Sequence, residues 1–370
     1  MEDIFGFADE LGPAKVIHVY QPSLKLKAIL VVDNVARGAS IGGLRMAPDV
    51  SSQECFRLAR AMTLKNAAAG LRHGGGKAVL YGDPRISKSE KEPRIRALAC
   101  ALKDIGEYIF GPDMGTDEEC MAWVHDEIGR AVGLPREIGG IPLDEIGATG
   151  WGLSHATEVA LEYCDFGLAG ARVVVQGFGA VGMHAARFLG AKGAILVGVA
   201  DSRGAIHDAN GLDIAALIAF KRDGGSVADF SQGHSIDRDA IIDIDCDIWI
   251  PAARPDVIHE GNVQRLKTRL VVQGANIPIT TGAEKYLHEH HVLSVPDFIA
   301  NAGGVICAAM EYAGASETAA LETIKEKLRE NTAQVLNAAR DKQILPRTAA
   351  VELAVGRVKR AMATRRWSIY

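Results

Sequence analysis

Apolar and polar positions first follow a helical period near residue 51. Ser51 stands three residues before Glu54, as in a capping box, and the apolar residues that follow have helical spacing. Lys65 lies on the same apolar face, so the pattern predicts a lysine on the buried side of a helix. Gly70 is placed to end this helix.

A strand-like pattern follows three consecutive glycines, residues 74–76. The run KAVLYGD predicts a strand with Lys77 as its first residue. Apolar spacing around Ile95–Ile105 predicts a helix, and EYIF predicts a further strand. Thr116 and Glu119 have the spacing of a second capping box, which predicts the start of another helix.

After a Pro/Gly-rich connector at residues 133–150, the pattern becomes an alternation of strands and helices. ARVVVQ, AILVGVAD, CDIWIPAA and LVVQGAN read as buried strands, and MHAARFLGAKG reads as a helix between the first two. Leu321, Ile324, Leu328 and Val335 share one face of a late helix. The predicted fold is α/β with two domains: a mixed α/β domain, then a Rossmann-like dinucleotide-binding domain.

Length and composition limit the class of protein. A chain of 370 residues suggests two domains, and its net charge of −5 argues against a nucleic-acid partner. The six cysteines include no CxxC pair, so a reducing, cytoplasmic setting is expected. No apolar run approaches the ~20 residues of a membrane span. The acidic start lacks the basic region of a signal peptide.

A glycine motif between a predicted strand and a predicted helix indicates a dinucleotide site. Gly177, Gly179 and Gly182 form G-x-G-x-x-G, which allows a tight turn and a close approach of pyrophosphate to the helix N-terminus. Asp201 ends the second strand, where a carboxylate binds ribose hydroxyls and favours NAD. Arg203 could instead accept the 2′-phosphate of NADP.

The sequence allows three interpretations of the role of Lys77. A phosphate-binding loop fails, because Ala78 stands where that motif needs a hydroxyl. A solvated lysine after a flexible turn is the ordinary outcome. The third is a general acid/base: Lys65 in the same cleft and partial burial would both lower the pKa of Lys77, while the glycines leave room for a substrate. Asp113, in a Gly-Pro-Asp turn, could relay a second proton.

Motifs along nearly the whole chain resemble those of the glutamate/leucine/phenylalanine/valine dehydrogenases. The motifs are IGGLRMAP, MTLKNAAAGL, LRHGGGKAVLYGDP, GPDMGT, GATGWG, VQGFGAVG, VADSRG, VVQGAN and PDFIANAGGVI. This resemblance implies reversible NAD(P)-dependent oxidative deamination of an L-amino acid to a 2-oxo acid and ammonia. It also implies a substrate-binding and oligomerisation domain over 1–143, a cofactor domain over 144–335 across a cleft, and C-terminal helices (336–370) that return to the first domain.

The resemblance also implies roles for individual residues. Lys77 would activate the water that attacks the imino intermediate, and Asp113 would exchange protons with the substrate amine. Lys65 would hold the α-carboxylate, with Asn276 or Asn301 nearby and Gly43 beside the substrate. The cofactor would contact Thr149, Gly177, Phe178, Gly179, Ala180, Val181, Gly182, Asp201, Ser202, Ala252 and Asn276.

Two positions depart from the glutamate-specific members, which carry a lysine and a serine that pair with the substrate's side-chain carboxylate. Here they are Ile41 and Ala308. A buried carboxylate without a partner is costly, so we expect an apolar substrate side chain. Gly111 and Ala308 suggest a roomy pocket for leucine-like or phenylalanine-like substrates. Glutamate is the alternative, because GFGAVG and VADSRGAI resemble its dehydrogenases. A non-catalytic nucleotide-binding homologue is a further one.

The remaining signals predict no other partner class. HEHH at 288–291 reads as a solvated helix end, so no metal is expected. The basic stretch at 357–367 reads as a helix surface, and no nucleic acid or membrane partner is expected. The expected partners are the amino acid, its 2-oxo acid and ammonia, and by resemblance further copies of the chain in a hexamer or octamer.

Overall fold

The chain divides into two compact units in a computed structural model that describes residues 4–364. The first unit comprises 4–142, 305–320 and 351–364, and the second comprises 143–304 and 321–350. The sequence assigned 305–320 to the second domain and 336–350 to the first, and the structure places each the other way round. Residues 365–370, the end of the basic stretch, lie outside the described residues. The assignment of substrate and cofactor roles to the units stays a prediction.

The first unit is built on a five-stranded mixed sheet in the order β1-β2-β4-β3-β5. The strands are β1 (Lys15–Gln21), β2 (Leu26–Asn34), β3 (Ser40–Ala47), β4 (Gly74–Tyr81) and β5 (Tyr108–Pro112). The helices are α1 (Ser52–Ala68), α2 (Lys88–Ala101) and α3 (Glu118–Ile128), with 3-10 helices at Ile4–Phe7, Pro22–Leu24 and Arg136–Ile138. Because β3 runs parallel to both β4 and β5, these three strands end at the same edge of the sheet.

The three glycines belong to a strand rather than to a turn before it. β4 begins at Gly74, three residues earlier than predicted. A Cβ on Gly75 would lie 1.9 Å from the backbone nitrogen of Thr63 in α1, and one on Gly74 would lie 1.8 Å from the carbonyl oxygen of Asn34. The backbone of β4 is therefore in direct contact with its neighbours, and the expectation that the glycines leave room for a substrate is wrong.

Of the two predicted capping boxes, the first is confirmed at its N-cap only, because the Glu54 carboxylate accepts from Arg45. The Ser51 side chain accepts a hydrogen bond from the Glu54 backbone N–H at 3.1 Å, and Gly70, with φ +68°, follows the end of α1. The N-cap of α3 is Asp117 and not Thr116: its carboxylate accepts from the backbone N–H of Cys120 at 2.9 Å. Asp117 is the better-placed acceptor because the Thr116 hydroxyl is bonded elsewhere.

The second unit has a seven-stranded sheet in the order β12-β11-β10-β6-β7-β8-β9, parallel from β12 to β7. The strands are β6 (Arg172–Gln176), β7 (Ile195–Ala200), β8 (Ala205–His207), β9 (His234–Ile236), β10 (Ile248–Pro251), β11 (Leu270–Val272) and β12 (Leu293–Val295). The four strands predicted in this region are all confirmed. The doubly wound arrangement matches the predicted α/β class.

Helices complete the chain. They are α4 (Leu143–Ile146), α5 (Ala148–Leu161), α6 (Ala180–Gly190), α7 (Ile214–Arg222), α8 (Thr281–Glu289), α9 (Asp297–Ala300), α10 (Gly303–Tyr312), α11 (Glu317–Lys342) and α12 (Pro346–Thr364). Further 3-10 helices are Val227–Asp229, Arg238–Asp243 and Val263–Arg265. Ile324, Leu328 and Val335 form a buried face of α11, as predicted. Over residues 4–364, the helices are all too short or too polar to cross a membrane.

The contact between β4 and α1 predicts that Gly75→Ala strongly destabilises the first unit. The added methyl group meets backbone atoms, which cannot rotate away, so we expect a loss of about 3 kcal/mol or failure to fold. Thermal unfolding followed by circular dichroism measures this. Gly106→Ala is the matched control, since a Cβ there has no neighbour within 4 Å. Equal melting temperatures for the two variants would contradict the packing.

Candidate active site

Lys77 and Asp113 form an ion pair where β5 ends beside the middle of β3 and β4. Lys77 is 5% exposed in β4, and its Nζ donates to Oδ2 of Asp113, which directly follows β5. β3 lies between these strands, and Gly43 makes the contact possible. A Cβ on Gly43 would lie 2.7 Å from Cβ of Asp113 and 3.1 Å from Nζ of Lys77. The structure thus brings three predicted site residues together.

A second cation, not identified as a site residue from the sequence, binds the same carboxylate oxygen. Arg45 Nε in β3 donates to Oδ2 of Asp113 at 3.3 Å, and its Nη1 donates to Oε1 of Glu54 at 2.5 Å. The available signal was a single arginine in a strand whose other residues, SIGGL and MA, are all buried. Strand periodicity alone could not show that its side chain turns towards Asp113.

The backbone after β5 holds Asp113 in place. Its N–H donates to Thr116 Oγ1 at 3.0 Å, and that hydroxyl donates to the carbonyl of Leu44 in β3 at 2.7 Å. Burial raises the pKa of Asp113, but Lys77 and Arg45 outweigh this effect and hold the pKa below its usual value. The carboxylate is therefore ionised at neutral pH and can accept a proton.

The charged neighbour of Lys77 differs from the expected one. The sequence suggested a second ammonium, from Lys65, but the group in contact is the Asp113 carboxylate. Lys65 is half-buried on α1, two residues beyond Thr63, which packs on Gly75 of β4. Its proposed contact with a substrate carboxylate stays a prediction.

The positions expected to shape the substrate pocket also lie in the first unit. Ile41 is 3% exposed in β3, and Ala308 is 9% exposed in α10. A Cβ on Gly111 would point at Cγ2 of Val132, 3.4 Å away. A Cβ on Gly111 would thus make an ordinary van der Waals contact with Val132, and the expectation of a roomy pocket stays a prediction.

In the second unit, the glycine motif connects β6 to α6 as predicted. Gly177 has φ +102°, and a Cβ there would lie 2.6 Å from the backbone nitrogen of Ala253. A Cβ on Gly182 would lie 1.9 Å from the carbonyl oxygen of Gly177. Gly179, the N-cap, faces open space and no side chain caps α6, so N–H groups of its first turn are available to an anion. This cradle fits a dinucleotide pyrophosphate.

The predicted pyrophosphate residues Phe178, Ala180 and Val181 lie within this turn and the first turn of α6. Phe178 is buried, so it contributes packing and its backbone rather than its ring surface. Thr149 lies in α5. Ala252 follows β10, and its N–H donates to the carbonyl of Gln176 at 2.7 Å.

The carboxylate of Asp201 is hydrogen-bonded by neighbouring groups of the protein. Its two carboxylate oxygens accept from the Lys221 ammonium at 2.5 Å, the Ser226 hydroxyl at 3.1 and 3.3 Å, and three backbone N–H groups, those of Arg203, Gly204 and Val227. These donors fill the roughly four acceptor positions of a carboxylate. Burial raises the pKa of Asp201, but the Lys221 and backbone bonds outweigh it and lower the pKa to about 2.

The preference for NAD that the sequence assigned to Asp201 is therefore weakened, because Lys221 offsets its charge and its bonds leave little acceptor capacity for ribose hydroxyls. Its contact with the cofactor stays a prediction. An open cavity of about 340 Å³ lies beside it. The cavity is lined by Ser202, Arg203, Gly204, Ala228, Ser235, Ile236, Asp237, Arg238 and Asp239.

Asn276, in the loop after β11, contacts Asn301, which follows α9. The sequence offered these two residues as alternatives. Asn301 is 4% exposed, and its Nδ2 donates to Oδ1 of Asn276 at 3.1 Å and to the carbonyls of Gly274 and Ala275 at 3.3 and 3.2 Å. Asn301 thus shapes the loop that presents Asn276. In the described part of the chain, no group of three or more His, Cys, Asp or Glu residues is arranged to hold a metal ion.

The dinucleotide cradle in one unit and the buried lysine–aspartate pair in the other define an NAD(P)-dependent oxidoreductase that acts on amino acids. Residues 139–366 match the family model described as Glutamate/Leucine/Phenylalanine/Valine dehydrogenase, and residues 16–130 match its dimerisation domain. The chain belongs to this family, and its expected membership is confirmed.

Individual relatives agree with the family assignment. The chain is 39% identical to the glutamate dehydrogenase of Aeropyrum pernix, covering 90% of this chain and 85% of that protein. It is 36% identical to the NADP(+)-dependent glutamate dehydrogenase of Pyrobaculum calidifontis, with coverages of 91% and 86%. The crystal structure of the hetero-hexameric glutamate dehydrogenase of Thermus thermophilus, in its Leu-bound form, superposes with a TM-score of 0.84 at 27% identity, covering 96% of this chain and 91% of that one.

The bonding of Asp201 predicts an acid-sensitive contribution to stability. Because its pKa is lowered from 3.8 to about 2, the contribution is present above pH ~4 and is lost as the pH falls towards 2. Asp201→Asn should cost roughly 2 kcal/mol at pH 7, and the difference from wild type should shrink at pH 3. Calorimetric melting at both pH values measures it. Asp165→Asn, an exposed partner of Arg269, is the control; a pH-independent deficit in Asp201→Asn would contradict the assignment.

Proposed function

We propose that the protein catalyses the reversible NAD(P)-dependent oxidative deamination of L-glutamate to 2-oxoglutarate and ammonia. The observation that supports amino acid deamination most directly is the buried Lys77–Asp113 pair, which can move protons beside a substrate amine. Similarity to relatives named glutamate dehydrogenase over about nine-tenths of the chain supports glutamate.

Bound NAD(P) would accept a hydride from Cα of the amino acid and leave an imino acid. In our proposal, Lys65 orients the α-carboxylate, and Asn276, held by Asn301, borders the cofactor loop. Asp113 takes a proton from the substrate ammonium. Lys77, as the neutral amine, then removes a proton from the water that attacks the imino carbon. The proton held by Asp113 returns to the nitrogen, and ammonia leaves as the 2-oxo acid forms.

The environment of Asp113 supports the role of proton acceptor. Its ionised state at neutral pH rests on two cations, and Lys77 and Asp113 share a hydrogen bond along which a proton can pass. Low exposure of Lys77 keeps bulk water from competing for that proton.

An apolar substrate is the second candidate, and one observation favours it. The positions where glutamate-specific members carry a lysine and a serine are Ile41 and Ala308 here, both buried and apolar. The expected apolar preference is not supported by the relatives' names, which favour glutamate. If glutamate is the substrate, other groups must hold its side-chain carboxylate. A non-catalytic binding role has no support among the relatives.

Both NAD and NADP are included in the proposal. Saturation of Asp201 weakens the expected bias towards NAD, and the neighbouring cavity carries both charges, Arg203 and Arg238 with Asp237 and Asp239, so its charge favours neither cofactor. We further propose a homo-oligomer, which the match to a dimerisation domain supports. A reducing, cytoplasmic setting accords with six free cysteines.

A substrate panel tests the proposal. We expect purified protein with ammonia to oxidise NADPH or NADH fastest with 2-oxoglutarate, because the relatives it resembles are glutamate dehydrogenases. The panel should also contain 4-methyl-2-oxopentanoate and phenylpyruvate, read by absorbance of the reduced cofactor. Faster turnover of either apolar 2-oxo acid would replace glutamate with the second candidate. Absence of turnover across the panel, with reduced cofactor bound, would refute the enzymatic role.

Lys77→Arg tests whether position 77 acts as a base. A guanidinium preserves the charge pair with Asp113 but keeps its proton at working pH, so we expect kcat to fall by ~10²–10⁴-fold with little change in melting temperature. Lys88→Arg, at an exposed ion pair with Glu119, is the control. Activity within about tenfold of wild type would mean that Lys77 only supplies charge.

A further inference from the structure

We propose that Arg45, held by Glu54, is a positioning residue that keeps Asp113 ionised until it accepts a proton from the substrate, including when Lys77 is neutral. This inference rests on the proposed deamination, in which Asp113 must be ionised to take the ammonium proton and Lys77 must be neutral to take a proton from water. It concerns a residue that the sequence did not identify, in a strand that carries no other charge.

The charge balance around Asp113 changes during the proposed reaction. With Lys77 protonated, two cations neutralise Asp113 and Glu54. With Lys77 neutral, only Arg45 opposes these two carboxylates. A half-buried carboxylate without any cation would take up a proton readily, because burial favours its neutral form. Arg45 cannot release its proton in a protein, so it supplies the counter-charge throughout the cycle.

The contacts of Arg45 fit this role. Lys77 and Arg45 donate to the same atom, Oδ2 of Asp113, and the Met114 backbone N–H also supports the carboxylate. Neither cation occupies Oδ1, which keeps acceptor capacity for a donor such as a substrate amine. Burial lowers the pKa of Arg45, but Asp113 and Glu54 outweigh it and raise the pKa. Arg45 therefore holds its proton more strongly in this site than it would in water.

Glu54 sets the direction of the guanidinium. It lies in the first turn of α1, where the Ser51 cap fixes its backbone N–H, and its carboxylate accepts from Nη1 while Nε faces Asp113. The same helix carries Lys65, which our proposal assigns to the substrate α-carboxylate. Glu54 therefore links the start of α1 to the proton acceptor.

Other charged or titratable groups around Asp113 do not replace this cation. Tyr108 of β5 is fully buried, and burial raises its pKa well above its usual value, so it stays neutral. Asp117, at the start of α3 packed against β5, is occupied by the Cys120 N–H. Lys77 and Arg45 are the cations in direct contact with Asp113 in the described part of the chain.

The pH dependence of Arg45→Met tests the proposal. We expect the acid limb of kcat/KM for amino acid oxidation to move up by about one pH unit, since loss of a neighbouring cation favours protonated Asp113. Arg45→Lys should restore most of the shift, and Glu54→Gln should give a smaller shift in the same direction. Arg96→Met, which removes another half-buried arginine with several carboxylate partners, should lower stability without moving the limb.

Infrared titration separates this proposal from the proposed function. In the protein without substrate, the carboxylic acid band that Asp113→Asn removes should appear at higher pH in Arg45→Met than in wild type. Wild type without turnover would refute the proposed deamination, while the infrared band would still report on Arg45. The positioning role would be overturned if Arg45→Met and Arg45→Lys were both active with the acid limb of kcat/KM at its wild-type pH. It would also be overturned if the carboxylic acid band of Asp113 appeared at the same pH in Arg45→Met as in wild type.

Discussion

A half-buried carboxylate held between two cations is the constraint on which the first unit depends. Lys77 and Arg45, which both favour the charged form of Asp113, must reach it from different strands. That requires β3 to lie between β4 and β5 in parallel register, with Gly43 where any side chain would separate the pair. The contacts of Asp113 therefore depend on the order of the strands in the sheet.

The glycines before Lys77 extend this requirement to α1. Gly75 brings the backbone of β4 against Thr63, so the helix cannot move closer to the strand or slide along it without a steric clash. α1 carries Lys65 near this contact and Glu54 at its beginning. A rigid strand–helix contact thus fixes the distances among several charged side chains, which mobile surface lysines could not maintain.

Much of the fold and the identity of Lys77 and Asp113 could be predicted from sequence, because periodicity and glycine spacing are local signals. The rest depends on contacts between distant segments. Arg45 occupies an apolar motif, and only the packed sheet shows which carboxylate it meets. Gly111 faces Val132, twenty-one residues away in the chain. The chain crosses from the second unit to the first after residue 304, and no local sequence pattern predicts this crossing.

Asp201 shows how one residue can satisfy a motif and yet have a different physical role. A carboxylate at the end of β7 fits the spacing of a ribose-binding acid, but Lys221, Ser226 and three N–H groups consume its acceptors. It ties the turn after β7 to the segment after α7. Cofactor selectivity then depends on groups that still have bonding capacity. Spacing identifies where an acid stands, whereas its partners decide whether it can also bind a ligand.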